Sequence, residues 1–279
     1  MLRRPEILRC RLLPCAGFSL VELLVVVAVI GGLAAFLLPA LTSAKQRAQA
    51  TQCLGNSRQL AIALHLYTDE ANDWLPPNPD LPSDAAWVQG DMTNPDEATN
   101  TFFLTDPSQA KLAPYGIVAG VYKCPADPTA HVRSVSMNQA VGTKPDPPLA
   151  PVNGPWLNGV GTHIANSPWK TYGRLADMTA PVPAQLWVFT DEDPNSINDA
   201  SFAVAMTLPT KWVDWPATQH GYSSSLSFAD GHSENHRWHD GRTRLMNGSQ
   251  VVSARPQPAN ADILWLQAHT SARSGGGLP

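Results

Sequence analysis

From Phe18 to Ala44 the chain is apolar on all sides, and its single charge in that stretch is Glu22. About 20 predominantly apolar residues cross a hydrocarbon core, so the run is long enough to do so. Beyond Pro39 the pattern becomes one-sided. Cys53, Ser57, Leu60, Leu64, Tyr67, Ala71 and Trp74 recur at alternating spacings of four and three, whereas Lys45, Arg47, Arg58, Asp69, Glu70 and Asp73 fall outside that stripe. This is the pattern of a helix that lays one face on a core. It predicts a single helix over 18–72, about 80 Å long at 1.5 Å per residue, with an apolar half over 18–41 and an amphipathic half over 42–72. Pro39, with Gly31 and Gly32 ahead of it, removes a hydrogen bond and predicts a kink or a melted turn. Trp74, Leu75, Pro76, Pro77, Asn78 and Pro79 end the helix, because proline cannot continue it.

All nine tryptophans lie after this helix, from Trp74 to Trp265, which predicts a folded domain over 73–270. With 26 prolines in the chain, the expectation is short strands joined by long loops. The pattern places a short helix near 106–112, a strand over 118–124 and a surface insertion over 145–155. The clearest buried strand is 184–190, with Leu186 and Val188 alternating against Trp187 and Phe189. Leu226 and Phe228 alternate toward Asp230-Gly231, a strong hairpin pair, and His232, Glu234, His236 and Trp238 alternate on the way back. Asp240-Gly241 predicts a further hairpin, and the polar, Gly-rich stretch over 271–279 a disordered tail. The fold class is α+β, a long N-terminal helix packed on a small antiparallel sheet with long loops.

Two clusters offer chemistry. Asp191, Asp193, Asn195 and Asp199 stand in a carboxylate-rich loop that leaves a strand, and a hard cation such as calcium takes about 6 to 8 oxygen ligands from loops of this kind. The spacing and glycine of an EF-hand loop are missing, and a solvated acidic turn explains the same residues. The second cluster is His220, His232, His236 and His239 with Asp230 and Asp240, whose ligand types suit zinc. Their spacing is that of a strand and not the helical His-x3-His of a metalloprotease, and no Gly-x-Ser-x-Gly nucleophile elbow occurs. A structural role for His220 and Asp230, fixing the hairpin by a hydrogen bond, is the better expectation.

Gly17, Phe18, Ser19, Leu20, Val21 and Glu22, behind a leader carrying Arg3, Arg4, Arg9 and Arg11, resemble the class III signal of type IV prepilins and type II secretion pseudopilins. The resemblance extends further. His220 with nine residues before Asp230-Gly231 resembles the His-x9-Asp-Gly element of a large group of prepilin-type proteins, and so do Cys53 to Leu60, Lys123 to Asp127 and Ser136-Met137-Asn138. It implies that residues 1–17 are a leader peptide, cut after Gly17 by a prepilin peptidase that also methylates Phe18. It implies that Glu22 neutralises the N-terminus of a neighbouring subunit, since an acid in a membrane segment calls for a partner, and that Pro39 is the helix-breaking proline of pilins. Calcium at the acidic loop is implied by analogy with some pseudopilins.

On this reading the protein is a non-catalytic subunit of a pilus or a type II secretion pseudopilus. It would sit in the bacterial inner membrane as a single-pass protein with its head in the periplasm. Its partners would be the peptidase and N-methyltransferase, other prepilin-like subunits, an assembly platform and the membrane. The alternative is a membrane-tethered binding or metal-dependent hydrolytic protein that uses the signal only for sorting. An ordinary secretory signal fits less well, because its apolar region runs about 7 to 15 residues. The chain carries a formal charge of −4; without the leader's four arginines and one glutamate it has 15 basic and 22 acidic residues, net −7. That balance lacks the clustered basic residues of nucleic-acid binding. Removing Cys10 and Cys15 leaves Cys53 and Cys124, an even pair in an oxidising compartment. They form either a disulfide that ties the helix to the head or two unpaired thiols.

Overall fold

A computed structural model describes residues 19–79, 85–162, 164, 167–244 and 256–275. The chain divides into two compact units, Met1–Lys45 and Gln46–Pro279. The first helix, α1, runs over Leu20–Glu70, about 77 Å at 1.5 Å per residue. Its backbone is helical through Pro39 without interruption, so the melted turn expected there does not occur. A proline deletes a single N–H, and its fixed φ is itself helical. Asn72 and Asp73 then adopt φ of 53° and 71°, a left-handed exit that stops the helix two residues before the expected end.

Within the first unit the apolar side chains from Leu20 to Leu41 are exposed, and Phe36 is 84% exposed. The helix is long and apolar enough to cross a membrane.

In the second unit the amphipathic stripe is buried at Cys53, Ser57, Leu60 and Leu64, joined by Asn56, Ala61, Ala63 and Thr68. Leu60 and Leu64 enter one core with Trp87, Tyr122, Trp187, Phe189 and Trp238. Behind that face stands a five-stranded sheet in the order β3-β1-β2-β4-β5. Its strands are β1 (Val135–Asn138), β2 (Trp187–Asp191), β3 (Ser201–Phe202), β4 (Ser223–Phe228) and β5 (Ser233–Arg237). The sheet is mixed, not antiparallel as expected. β1 pairs antiparallel with β2, β2 with β4 and β4 with β5, but β3 pairs parallel with β1. The reason is the connection: β3 is reached from β2 through the acidic loop, and it lands on the far edge of the sheet beyond β1.

The expected strand over 184–190 is β2, the central strand, buried on both faces. β5, at the edge, is polar and largely exposed; charge on an edge strand discourages pairing with other chains. Several local expectations are corrected. The stretch expected as a strand over 118–124 contains a short 3-10 helix, Ala119–Tyr122. The helical turns lie at α2 (Pro95–Ala98) and α3 (Phe102–Thr105), ahead of 106–112, where Asp106 instead caps a turn by accepting from the Ser108 N–H and hydroxyl. Asp240 accepts from the Arg242 N–H and opens a helical turn, α4 (Gly241–Arg244), not a hairpin. A helix not foreseen, α5 (Ala261–Thr270), is capped by the Asn260 side chain. Past it Ser271 and Ala272 are buried, and the Ser274 N–H donates to the Pro168 carbonyl, so the first residues of the expected disordered tail are ordered against the domain.

Candidate functional site

The residues singled out from the sequence fall into four places. Gly17 and Phe18 lie outside the described residues. Glu22 stands at the start of α1, where its carboxylate accepts the Ser19 N–H at 2.9 Å and the Ser19 hydroxyl accepts the Glu22 N–H at 3.2 Å. This is a reciprocal capping box, which satisfies two donors that a helix start leaves unpaired. Pro39 lies in the exposed apolar half.

The acidic loop distributes its carboxylates among separate partners. Asp193 is buried, its Oδ1 accepts the Asn195 backbone N–H at 3.0 Å and the Asn195 amide at 3.1 Å, and burial raises its pKa. Asp199 accepts the Ser201 N–H at 2.7 Å. Glu192, part of the acidic loop but not among its candidate ligands, is fully enclosed and accepts from the hydroxyls of Ser136 at 2.6 Å and Ser196 at 2.8 Å. Burial pushes the Glu192 carboxyl up and the buried Arg133 guanidinium down, and the attraction between the two groups opposes both shifts. Arg133 donates to the carbonyls of Val135 and Gly90, and its charge attracts the loop carboxylates of Asp199 and Glu192. Nothing in the spacing around Arg133 marked it for the interior.

The His-x9-Asp-Gly element spans strand β4. At its exposed end, Gly231 takes φ of 88°, a left-handed conformation that favours glycine, and a Cβ there would meet His65 Nε2 of α1 at 3.4 Å. Asp230 accepts the His232 N–H at 3.1 Å, and its Oδ1 lies 2.5 Å from His232 Nδ1. At the other end His220 is buried and bonded to Ser223. Each half of the element thus fixes its own end of β4, Asp230 through His232 at the hairpin turn and His220 through Ser223. The remaining histidines are dispersed. His236 stacks on Trp265 at 3.6 Å between centroids, and burial lowers its pKa to about 4. The His239 N–H donates to the Asp262 carboxylate, and Asp240 pairs with Arg242.

One group of metal-ligating side chains converges among the described residues: Cys53, Cys124, Asp191 and His220, all buried, with one ligand atom from each within 4.8 Å of all the others. Four elements deliver it. Cys53 projects from α1, Cys124 follows the 3-10 helix and its N–H donates to the Ser134 hydroxyl at 2.7 Å, Asp191 ends β2, and His220 stands just before β4. Cys53 and Cys124 are joined as a disulfide with Cα atoms 5.2 Å apart. The neighbouring sequence elements prove to be supports. Asn56 donates to the carbonyls of Gly120 and Lys123, Lys123 to those of Thr129 and His131, and Asn138 to those of Trp187 and Thr270. A separate cleft of about 330 Å³ is lined by Asn78, Gln139, Lys144, Gly154 and Ser201, with none of the sequence-identified site residues in its wall.

The chain matches no family model, no curated protein and no solved structure.

Proposed function

We propose that the protein is a prepilin-like subunit, processed after Gly17 and assembled through the apolar half of α1 into a filament of the pilus or pseudopilus kind. The observation that carries this reading is the exposed apolar run from Leu20 to Leu41 with Glu22 as its one charge. Such a surface calls for lipid or for other copies of the same helix, and a carboxylate in it calls for a cation. The freed α-amino group of Phe18 on a neighbouring subunit supplies that cation. Glu22 then exchanges its local bond to Ser19 for an intersubunit pair, and the unit carrying the sheet faces outward for contact. No catalytic step is needed for this role.

The test is the mature N-terminus, read by mass spectrometry from membranes of cells that carry a prepilin peptidase. N-methylated Phe18 is the expected result; a start at Lys45, the product of an ordinary secretory signal cut after Thr42-Ser43-Ala44, or an intact Met1 would overturn the processing route. Glu22→Ala should leave cleavage intact and abolish incorporation into filaments, and normal assembly of that variant would sink the charge-pairing account.

A further inference from the structure

We infer that the reduced chain holds one transition-metal cation of the zinc type between the Cys53 and Cys124 thiolates, His220 Nε2 and the Asp191 carboxylate, and that this metal-loaded form alternates with the disulfide. The inference does not depend on filament assembly.

The first support is the donor set. Two sulfurs, an imidazole and a carboxylate suit a borderline-soft ion in a closed tetrahedral site and not calcium, which takes oxygen ligands only. Zinc bond lengths of about 2.0 to 2.3 Å place ligand atoms of one tetrahedron about 3.3 to 3.8 Å apart. Here the four atoms lie within 4.8 Å of one another, and His220 Nε2 is 3.8 Å from Asp191 Oδ2. The distance between the two cysteine Cα atoms, 5.2 Å, lets either a disulfide or a pair of thiolates on one ion form without moving the backbone.

The second support is independent of the clustering and concerns the imidazole. The Ser223 hydroxyl has one proton, which it donates to the His220 carbonyl at 2.7 Å. Its oxygen, 3.0 Å from His220 Nδ1, is therefore left to accept, which puts a proton on Nδ1 and, in the neutral imidazole that a metal requires, leaves the lone pair on Nε2. That lone pair is buried, has no hydrogen-bond partner, and looks toward a carboxylate oxygen. Two electron-rich atoms facing each other out of water are unfavourable unless a cation lies between them. A second hydrogen bond that fixes the tautomer and leaves the other nitrogen free is the arrangement found at histidines that bind metal.

Loading the reduced site breaks two S–H bonds, forms two S–metal bonds and releases two protons to solvent. The reverse switch needs an external disulfide as oxidant. The two metal-bound thiolates lose two electrons and join, the cation leaves, and the external disulfide takes up those electrons with two protons to give two thiols. The two forms exclude each other because the same sulfurs serve both.

The experiment uses the full chain in detergent, reduced with a phosphine, with cobalt(II) as the probe. Expected are saturation at one cobalt per chain, thiolate-to-cobalt charge-transfer absorption with the visible bands of a tetrahedral ion, and displacement by zinc. The oxidised chain should show none of these. His220→Ala should weaken binding by about tenfold or more, and Ser223→Ala, which removes the tautomer-fixing bond together with the hydroxyl's bond to the His220 carbonyl, by about tenfold. His236→Ala should leave it unchanged. Near-ultraviolet circular dichroism of the tryptophans guards against a folding artefact: the reduced chain should regain or keep its signal on adding zinc. Failure of zinc to do so, absence of the thiolate band, equal binding by the oxidised chain, or His220→Ala binding like the parent would each overturn the proposal.

Discussion

The two halves of α1 share one backbone geometry and differ in everything that burial decides. Over Leu20 to Leu41 the side chains are apolar all round and exposed. From Cys53 to Thr68 one face carries Cys53, Ser57, Leu60 and Leu64 and is buried, while Arg58 falls on the other side. A helix apolar on every side cannot choose a face, so its neighbours must be lipid or other helices. A striped helix chooses one face and hides it in its own domain. If this contrast is real, perturbing the second half should unfold the head, and perturbing the first should leave the head's stability alone.

The largest expected effect comes from the link at Cys53. The bridge to Cys124 spans 71 positions of sequence, and a loop of that length constrains the unfolded chain by about 4 kcal/mol in the chain-entropy picture. Reduction in the presence of a metal chelator should lower the head's unfolding free energy in urea by roughly that amount. An unchanged midpoint would mean that the bridge is not formed in solution.

A pair of leucines sharpens the contrast. Leu64 is 1% exposed and Leu37 is 66% exposed. Leu64→Ala should cost about 2 to 5 kcal/mol through lost burial and the cavity left behind. Leu37→Ala should change head stability by no more than about 0.5 kcal/mol, the usual range for surface changes. Equal effects on denaturant midpoints would break the division of the helix into an outward and an inward half.

Much of this was legible along the chain because it rests on local periodicity. The stripe from Cys53 to Leu64, the β2 alternation and the Asp230-Gly231 turn each declare themselves within a few residues. The sheet's hand was not legible, because the parallel landing of β3 beside β1 depends on a non-local pairing. α5 was also missed, although Asn260 stands one residue before Ala261 as an N-cap and marks its start. The converging Cys53, Cys124, Asp191 and His220 come from four distant segments, and no spacing rule connects them. A hydrogen bond at the hairpin was legible from Asp230-Gly231, where Asp230 accepts the His232 N–H, whereas His220 acts at the other end of β4, a strand of six residues about 20 Å long at 3.3 Å per residue.

The smallest effect tests where the inward half ends. Tyr115 donates its hydroxyl to Glu70 at 2.7 Å, and its ring meets Tyr67 edge-on at 6.0 Å. Burial, then the bond and charge of Glu70, push the Tyr115 phenol from 10.0 up to about 12. Between those values the unfolded chain has lost the proton that the folded chain keeps, so stability falls as pH rises through that window and is intact below it. Tyr115→Phe should cost only about 0.5 kcal/mol at neutral pH, because the bond is exposed to water. Its signature is instead a shallower loss of stability on going from neutral pH to about pH 11. The loss should not vanish, because burial also raises Tyr67 and raises Tyr172 to about 12. Urea midpoints of parent and variant at the two pH values decide the matter: parallel losses would mean that the last turn of α1 is not engaged by Tyr115, and the inward half would then stop short of Glu70.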